Sequence, residues 1–335
     1  MRIGMRDGLP VDPRSSPGSG ITGGRRLELR TLIWALIAAC VALWALNVTI
    51  EPAHSQTPPP TISFRGSATY PLAGNGMVFV GLIGSDAPTG TPDVGGGCDS
   101  IHIIAINAQT RSGTILNMPR DSFIGGRKIT DICRSGGFDA GIATIKQVTG
   151  IPIQFYAHTN FSNFMPLIDA LGGLDIHVYH PMFNQSDTGT HFNPGNYHML
   201  GGDTLAFSRD RYNVPGGDFG RSTDQAQIII SSLRKYHQQS ADLSYLFDVI
   251  RTGRQRAAFN VPLSDMIRLG LLARQVDPAN VKSCTLNGVG QSIGGASVVV
   301  LNGDDSAIYS QVAKDGSLPP NPDCFMGVNF EIPSS

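Results

Sequence analysis

Hydrophobic positions along the chain fall into two regimes. From Thr31 to Ile50 (TLIWALIAACVALWALNVTI) there is no charged residue. Twenty helical residues at about 1.5 Å each reach roughly 30 Å, the thickness of a bilayer core. Trp34 and Trp44 lie near the ends of the run, as interfacial aromatics do. Beyond it, short apolar runs alternate with helical periods. Met77 to Ile83 (MVFVGLI) reads as a strand buried on both faces, and Ile101 to Ile106 and Gly113 to Met118 as two more. Asp139 to Val148 spaces Ile142, Ile145 and Val148 as a helix does, with Asp139 as N-cap and Gly150 past the end. Phe161 to Leu171 repeats the pattern, closed by Gly172-Gly173 and followed by a strand-like LDIHVY. Leu205 to Tyr212 alternates as a strand, Asp218 to Tyr236 and Ser264 to Val276 read as helices, and Ala296 to Leu301 as a late strand. Such alternation indicates a layered α/β domain.

Composition adds constraints. Of the 335 residues 41% are hydrophobic, which excludes a largely disordered chain. Twenty-five Lys and Arg against 26 Asp and Glu give a net charge of -1, so no global basic field draws the chain to nucleic acid. The balance is uneven along the sequence, with Arg2, Arg6, Arg14, Arg25, Arg26 and Arg30 all preceding the apolar run. That asymmetry places the N-terminus in the cytoplasm. The expected organisation is a basic cytoplasmic tail over 1–30 and a transmembrane signal anchor over 31–50. A Pro- and Ser-rich stalk over 51–74, an extracytoplasmic domain over 75–318 and a tail over 319–335 follow. Cleavage near Ala53 or Ser55 is the alternative to an uncleaved anchor. Ile37-Ala38-Ala39-Cys40 resembles a lipobox, but the apolar run continues past Cys40. The chain is therefore expected at the cell membrane, single-pass, with its C-terminal domain outside.

Cys40 falls in the span, leaving Cys98, Cys133, Cys284 and Cys324. An even number in an oxidising compartment suggests two disulfides with three alternative pairings, nearest-in-sequence being the expectation. No C-x-x-C is present, so nothing here has zinc-site spacing.

The candidate chemistry gathers at element ends. On a strand from Leu205, a period of two puts Phe207, Arg209 and Arg211 on one face, and the two like charges call for an anion between them. Asp218 opens the next helix, with Arg221 and Gln225 on its face at i+3 and i+7. Free N–H groups and the positive dipole end add to an array suited to pyrophosphate, with a carboxylate holding a bridging divalent cation. Asp86, Asp99 and Arg120-Asp121 each stand where a strand begins or ends. Taken singly, these features fit a solvated edge strand, an N-cap or turns equally well. His177 and His180, three apart in an apparent strand, point to different faces and make a poor metal pair.

Together the motifs resemble a known family. Gly84-Ser85-Asp86, Cys98-Asp99-Ser100, Met118-Pro119-Arg120-Asp121, Asp169 to Asp175 (DALGGLD) and Leu200-Gly201-Gly202 occur in order. They lead to Ala206 to Tyr212 (AFSRDRY) and Gly216 to Arg221 (GGDFGR). This series is similar to that of the LytR-CpsA-Psr (LCP) family of bacterial cell-wall glycopolymer ligases, strongly from Met77 to Tyr236. The resemblance implies a layered α-β-α domain with a mixed central sheet, carried on one N-terminal transmembrane helix. It implies Mg²⁺-dependent transfer of a glycopolymer from a polyprenyl-pyrophosphate carrier to peptidoglycan, through a phosphodiester to a muramic acid hydroxyl. By the same likeness Asp86, Asp99 and Asp218 hold magnesium, and Arg120, Arg209, Arg211 and Arg221 grip the pyrophosphate beside Gln225. Asp86 or Asp99 is the candidate base, and an apolar tunnel is needed for the polyprenyl chain.

The chain departs from the family pattern in three places. Pro88 and Gly97 stand where arginines are frequent, and Lys128-Ile129-Thr130 replaces Lys-Ile-Asn. A Cys98–Cys133 bond would compensate by tying down the loop beside Asp99. A polyprenyl-pyrophosphate phosphohydrolase and a non-enzymatic envelope-binding or regulatory protein are the alternative functions.

Overall fold

The structure, a computed structural model, describes residues 61–63, 69–71, 76–86, 96–239, 243–303 and 305–325. The expected cytoplasmic tail and the anchor over 31–50 lie outside the described residues, as does Pro88. Among the described residues no helix is long and apolar enough to cross a membrane.

In the segment expected as a stalk, β1 (Thr61–Ser63) pairs antiparallel with β2 (Thr69–Pro71). The fold is then built on three antiparallel strands, β3 (Met77–Ser85), β4 (Ser100–Asn107) and β5 (Ser112–Asn117). A short hairpin, β6 (Phe123–Ile124) and β7 (Arg127–Lys128), leads into α1 (Ile129–Thr149), and β8 (Phe155–Asn160) returns parallel to β3. Next come α2 (Phe161–Ala170), β9 (Leu174–Val178), β10 (Met182–Asn184), β11 (Thr190–Phe192), β12 (Gly195–Met199) and α3 (Gly201–Arg209). Helices α4 (Asp218–Gln238) and α5 (Leu243–Arg256), strand β13 (Ala258–Phe259), helix α6 (Leu263–Ala273) and strand β14 (Val281–Leu286) follow. The β15 (Gly288–Ile293) and β16 (Ala296–Leu301) hairpin, α7 (Asp305–Asp315) and β17 (Cys324–Phe325) complete the chain. Seven strands form one mixed sheet in the order β13-β8-β3-β4-β5-β14-β17.

Strand alternation distributes the core. Phe79 and Ile83 of β3 and Ile101, Ile103 and Ala105 of β4 pack under Ile142 and Ile145 of α1 and Ile308 and Val312 of α7. Val78 and Val80 face the opposite side with Phe155, against Leu269 and Leu272 of α6, while Ile104 and Ile115 meet Ala226 and Ile230 of α4. Helices thus cover both faces, giving the α-β-α layering and mixed sheet read from the sequence. Both disulfides, Cys98–Cys133 and Cys284–Cys324, join nearest neighbours in sequence. Closing loops of 35 and 40 residues is worth about 4 kcal/mol each in the chain-entropy account.

Three expectations need correction. Leu205 to Tyr212 is not a strand: α3 runs to Arg209, burying Gly201, Thr204 and Phe207 at helical spacing. The apparent alternation spans too few positions to separate the two periods. Asp139 is not an N-cap, because α1 starts at Ile129 and bends at Gly137, whose φ of 77° interrupts the helix. There Asp139 accepts a hydrogen bond from the Tyr156 hydroxyl. The sheet also continues past the expected domain boundary at Leu318, since β17 pairs with β14 and is tied to it by Cys284–Cys324.

Adjacent glycines at the head of α3 have opposite roles. A Cβ on Gly201 would lie 2.2 Å from the carbonyl oxygen of Met165 in α2, whereas nothing lies within 4 Å of one on Gly202. Thermal denaturation should therefore show Gly201→Ala destabilised by about 1–3 kcal/mol through overpacking. Gly202→Ala should be neutral or stabilised by up to about 1 kcal/mol through helix propensity. Equal effects would contradict the close helix contact.

Candidate active site

The three-stranded core delivers its chain ends to one place. Asp86 follows β3, Asp99 precedes β4 and Arg120 follows β5, so antiparallel pairing brings all three together. They line a cavity of about 720 Å³ with Arg209, Arg211, Arg221 and Gln225. Seven of the eight side chains named from the sequence therefore share one cavity; the eighth, Asp218, pairs with the lining residue Arg221.

Asp99 is the junction. Its Oδ1 accepts from Arg120 Nη1 at 2.8 Å, its Oδ2 from the backbone N–H of Asp86 at 3.2 Å, and its carbonyl oxygen from Arg221 Nη2 at 3.2 Å. Arg221, almost wholly buried, also pairs with Asp218 one turn earlier on α4 at 2.6 Å. Gln225 Nε2 donates to the carbonyl oxygen of Ser208 at 2.9 Å, fixing α4 against α3. At the end of α3 the Arg209 guanidinium lies 5.0 Å over the Phe161 ring, and Arg211 lies 5.1 Å over Tyr212. Asp210, between the two arginines, is fully buried and accepts from Thr190 Oγ1, the backbone of Tyr212 and Asn213 Nδ2. This turn, not a shared strand face, brings Arg209 and Arg211 to the cavity.

The electrostatics are those of an anion site. Burial and the neighbouring negative charge of Asp99 raise the Asp86 pKa, against the pull of Arg134 and Arg120. Burial works against the Arg120 charge, but Asp99 more than offsets it and the pKa rises. Burial lowers that of Arg221, with Asp218 opposing and Arg120 reinforcing the shift. The Nε donors of Arg120 and Arg221 are buried without a hydrogen bond. Unmet polar groups concentrated in one place are what a bound polyanion would satisfy.

For a divalent cation the fit is narrower than expected. Among the described residues no three His, Cys, Asp or Glu side chains converge on one point, and Asp218 is engaged by Arg221. Of the three expected carboxylates, Asp86 and Asp99 adjoin directly, while Asp218 pairs with Arg221 and has both oxygens buried without a hydrogen bond. One or two carboxylates plus substrate phosphates are the usual protein share of a magnesium site.

Away from this end the cavity turns apolar. Val80, Leu82, Phe155 and Ile106 of the sheet face Phe164 and Leu167 of α2, Leu246 and Val249 of α5 and Leu269 of α6. From Val80 to Asp86 along β3 is about 20 Å. The cavity is thus charged at one end and apolar along the rest of its length.

Several residues escaped sequence reasoning. At Gly97, where the family often has arginine, a Cβ would lie 3.0 Å from Arg134 Nη2 and 3.4 Å from Asp99 Oδ2. Arg134 of α1, adjoining the Cys98–Cys133 bridge, thus occupies space beside Asp99 and supplies a charge that the loop lacks. His180 sits 3.7 Å from the buried Asp224 carboxylate, while His177 meets Asn196 Oδ1, so the two histidines share no site. Ser100, His102 and Asn117 form a hydrogen-bonded chain: Ser100 Oγ lies 2.8 Å from His102 Nε2, and His102 Nδ1 lies 2.7 Å from Asn117 Oδ1. The i,i+2 spacing of Ser100 and His102 is visible in sequence, but Asn117 joins them only through the β4–β5 register.

Burial, with a further push from Arg221 and against the Asn117 hydrogen bond, lowers the His102 pKa to about 4. The unfolded chain protonates this ring near 6.5, so stability is complete above that pH and falls as pH drops toward 4. Denaturant titrations should show a loss of about 2 kcal/mol between pH 7.5 and 5 that His102→Gln removes. Parallel pH profiles for the two proteins would contradict a buried neutral ring.

Comparison with known proteins agrees with this geometry. The LytR_cpsA_psr family model matches residues 49–314. A polyisoprenyl-teichoic acid–peptidoglycan teichoic acid transferase TagU from Bacillus mycoides (strain KBAB4) is 29% identical over 67% of this chain and 70% of its own length. TagU from Bacillus cereus (strain AH820) is 34% identical over 47% and 52%. The chain thus spans between about half and 70% of these curated relatives. Among solved structures, gbs0355 from Streptococcus agalactiae has a TM-score of 0.63 at 21% identity, covering 76% of this chain and 93% of that one. B. subtilis TagV gives 0.61 at 21%, covering 72% and 95%. These structural likenesses establish the mixed-sheet fold.

Proposed function

The chain belongs to the LytR-CpsA-Psr family, and from that premise we propose that it transfers a glycopolymer from a polyprenyl-pyrophosphate carrier to peptidoglycan. The observation that carries this reading is the amphipathic cavity, in which an arginine-rich end opens into an apolar tunnel. A pyrophosphate joined to an isoprenoid is a ligand with that same division. Its tail lies in the tunnel, and Arg120, Arg209, Arg211 and Arg221 hold the phosphate oxygens. The phosphorus attached to the glycan exchanges its bridging oxygen for a hydroxyl oxygen of the acceptor, a muramic acid hydroxyl in this reading, and polyprenyl phosphate leaves. The guanidinium groups stabilise charge on the equatorial oxygens, as phosphoryl transfer requires. Asp86 and Asp99 are the residues that would hold Mg²⁺. When bound, the ion supplies further neutralisation of the phosphate charge. Asp86, exposed beside the arginines, or Asp99 is the candidate base for the acceptor hydroxyl.

The relatives' transferase names support the reaction class. For location, the two disulfides support an oxidising compartment, and the anchor read over 31–50 would hold the domain at the outer face of the membrane.

The test is product analysis by mass spectrometry with the full chain in detergent, a polyprenyl-pyrophosphate-linked oligosaccharide and a peptidoglycan oligomer. A joined product should form, with Arg120→Ala lowering its rate by about 100-fold or more. Release of free oligosaccharide phosphate alone would indicate a phosphohydrolase, and intact lipid a binding protein. Chelation with EDTA should stop the reaction and excess Mg²⁺ restore it; full activity in EDTA would remove the cation from the account.

A further inference from the structure

The Ser100–His102–Asn117 chain has the arrangement of an activated nucleophile, and it opens onto the arginine end of the cavity. Asn117 Nδ2 donates to Ser283 Oγ at 2.9 Å and Thr285 Oγ1 at 3.0 Å, which turns its Oδ1 toward His102. With Oδ1 as acceptor, His102 Nδ1 carries the proton, and the Nε2 lone pair faces the Ser100 hydroxyl. Asn117 and His102 are buried, and Asn117 is held from three sides. Thr223 of α4 reinforces Thr285 from behind at 2.9 Å. Gly84 stands opposite Ser100, where a Cβ would approach the Ser100 Cβ to 3.0 Å, so the absent side chain leaves room beside the hydroxyl. Ser100 and His102 line the same cavity as Arg120, Arg211 and Arg221. Nucleophile, base and orienting amide in hydrogen-bond reach are the recognised signature of covalent catalysis.

Resting on the transfer reading above, we propose that Ser100 is a catalytic nucleophile and that transfer proceeds in two displacements through a glycosyl-phosphoserine. In the first, Ser100 Oγ gives its proton to His102 Nε2 and bonds to the glycan-bearing phosphorus. The bond from that phosphorus to the bridging oxygen breaks, and polyprenyl phosphate departs with the electron pair. In the second, the acceptor hydroxyl oxygen bonds to the same phosphorus as its proton passes to solvent water. The Oγ–phosphorus bond breaks, and Ser100 recovers the proton held by His102. No other reactant is needed. Asn117 is a positioning residue, acting through the His102 tautomer.

The experiment uses the full chain in detergent with a synthetic polyprenyl-pyrophosphoryl disaccharide, first without acceptor and then with a peptidoglycan oligomer. Without acceptor, about one equivalent of polyprenyl phosphate per enzyme should appear in a burst. Peptide mapping should place a disaccharide-phosphate adduct on Ser100. Ser100→Ala should bind the lipid but give neither burst nor adduct, and His102→Gln should slow both by about 100-fold or more. Asn117→Asp should retain adduct formation while Asn117→Leu loses it, which a merely structural amide would not separate. If conjugate forms with acceptor but no adduct is found and Ser100→Ala retains the rate, the covalent route is overturned while the transfer reading stands. An adduct on Ser100 without conjugate supports the nucleophile and overturns the acceptor assignment. If the lipid is neither cleaved nor attached, both fail.

Discussion

Asp99 is the contact on which the rest of the site depends. Its carboxylate, almost out of solvent, is met by Arg120 after β5 and the backbone N–H of Asp86 after β3, and its main-chain carbonyl by Arg221 from α4. These contacts fix three chain ends that the sheet alone would leave free to diverge. Breaking one partner of such a buried charge pair is costly because the other is left uncompensated. The neighbouring Cys98–Cys133 bridge extends the constraint to α1 and places Arg134 beside the carboxylate. The loop before Asp99 lacks an arginine, and this covalent tie brings one in from another element.

The cavity follows from the same architecture. Strand alternation gives one sheet face to α1 and α7 and the other to α4 and α6. Where α2, α5 and α6 stand off the second face, an apolar cavity remains that ends at the charged strand termini. Apolar lining and polar end are thus two parts of one β-strand pattern, since Val80, Leu82 and Asp86 all belong to β3 or its immediate extension. A ligand with a charged head and a long apolar tail meets the demands of both at once.

Much of this was legible in the sequence, for reasons that can be named. Continuous apolar runs such as Met77 to Ile83 can be satisfied only between two covered faces, and Gly150 and Gly172-Gly173 mark helix ends through positive φ. The charged residues of the site are legible through the ordered short motifs that resemble those of the LytR-CpsA-Psr family. What failed were inferences that needed register or turn geometry. Arg209 and Arg211 were assigned to a strand because a few alternating residues cannot distinguish periods of two and 3.6, and Asp210 was overlooked although it shapes their turn. The link from His102 to Asn117 exists only because β4 and β5 pair in one register, and the tunnel only because helices distant in sequence meet over one sheet face.

The central claim is that one cavity receives the isoprenoid and presents its pyrophosphate to the arginines. Its most direct test is photo-crosslinking of the full chain with a polyprenyl pyrophosphate carrying a diazirine at the far end of its tail. The account requires labelling of α5 and α6 peptides, at residues such as Leu246, Val249 and Leu269, with competition by unlabelled lipid. Labelling confined to surface residues outside the cavity, or unaffected by competitor, would contradict it.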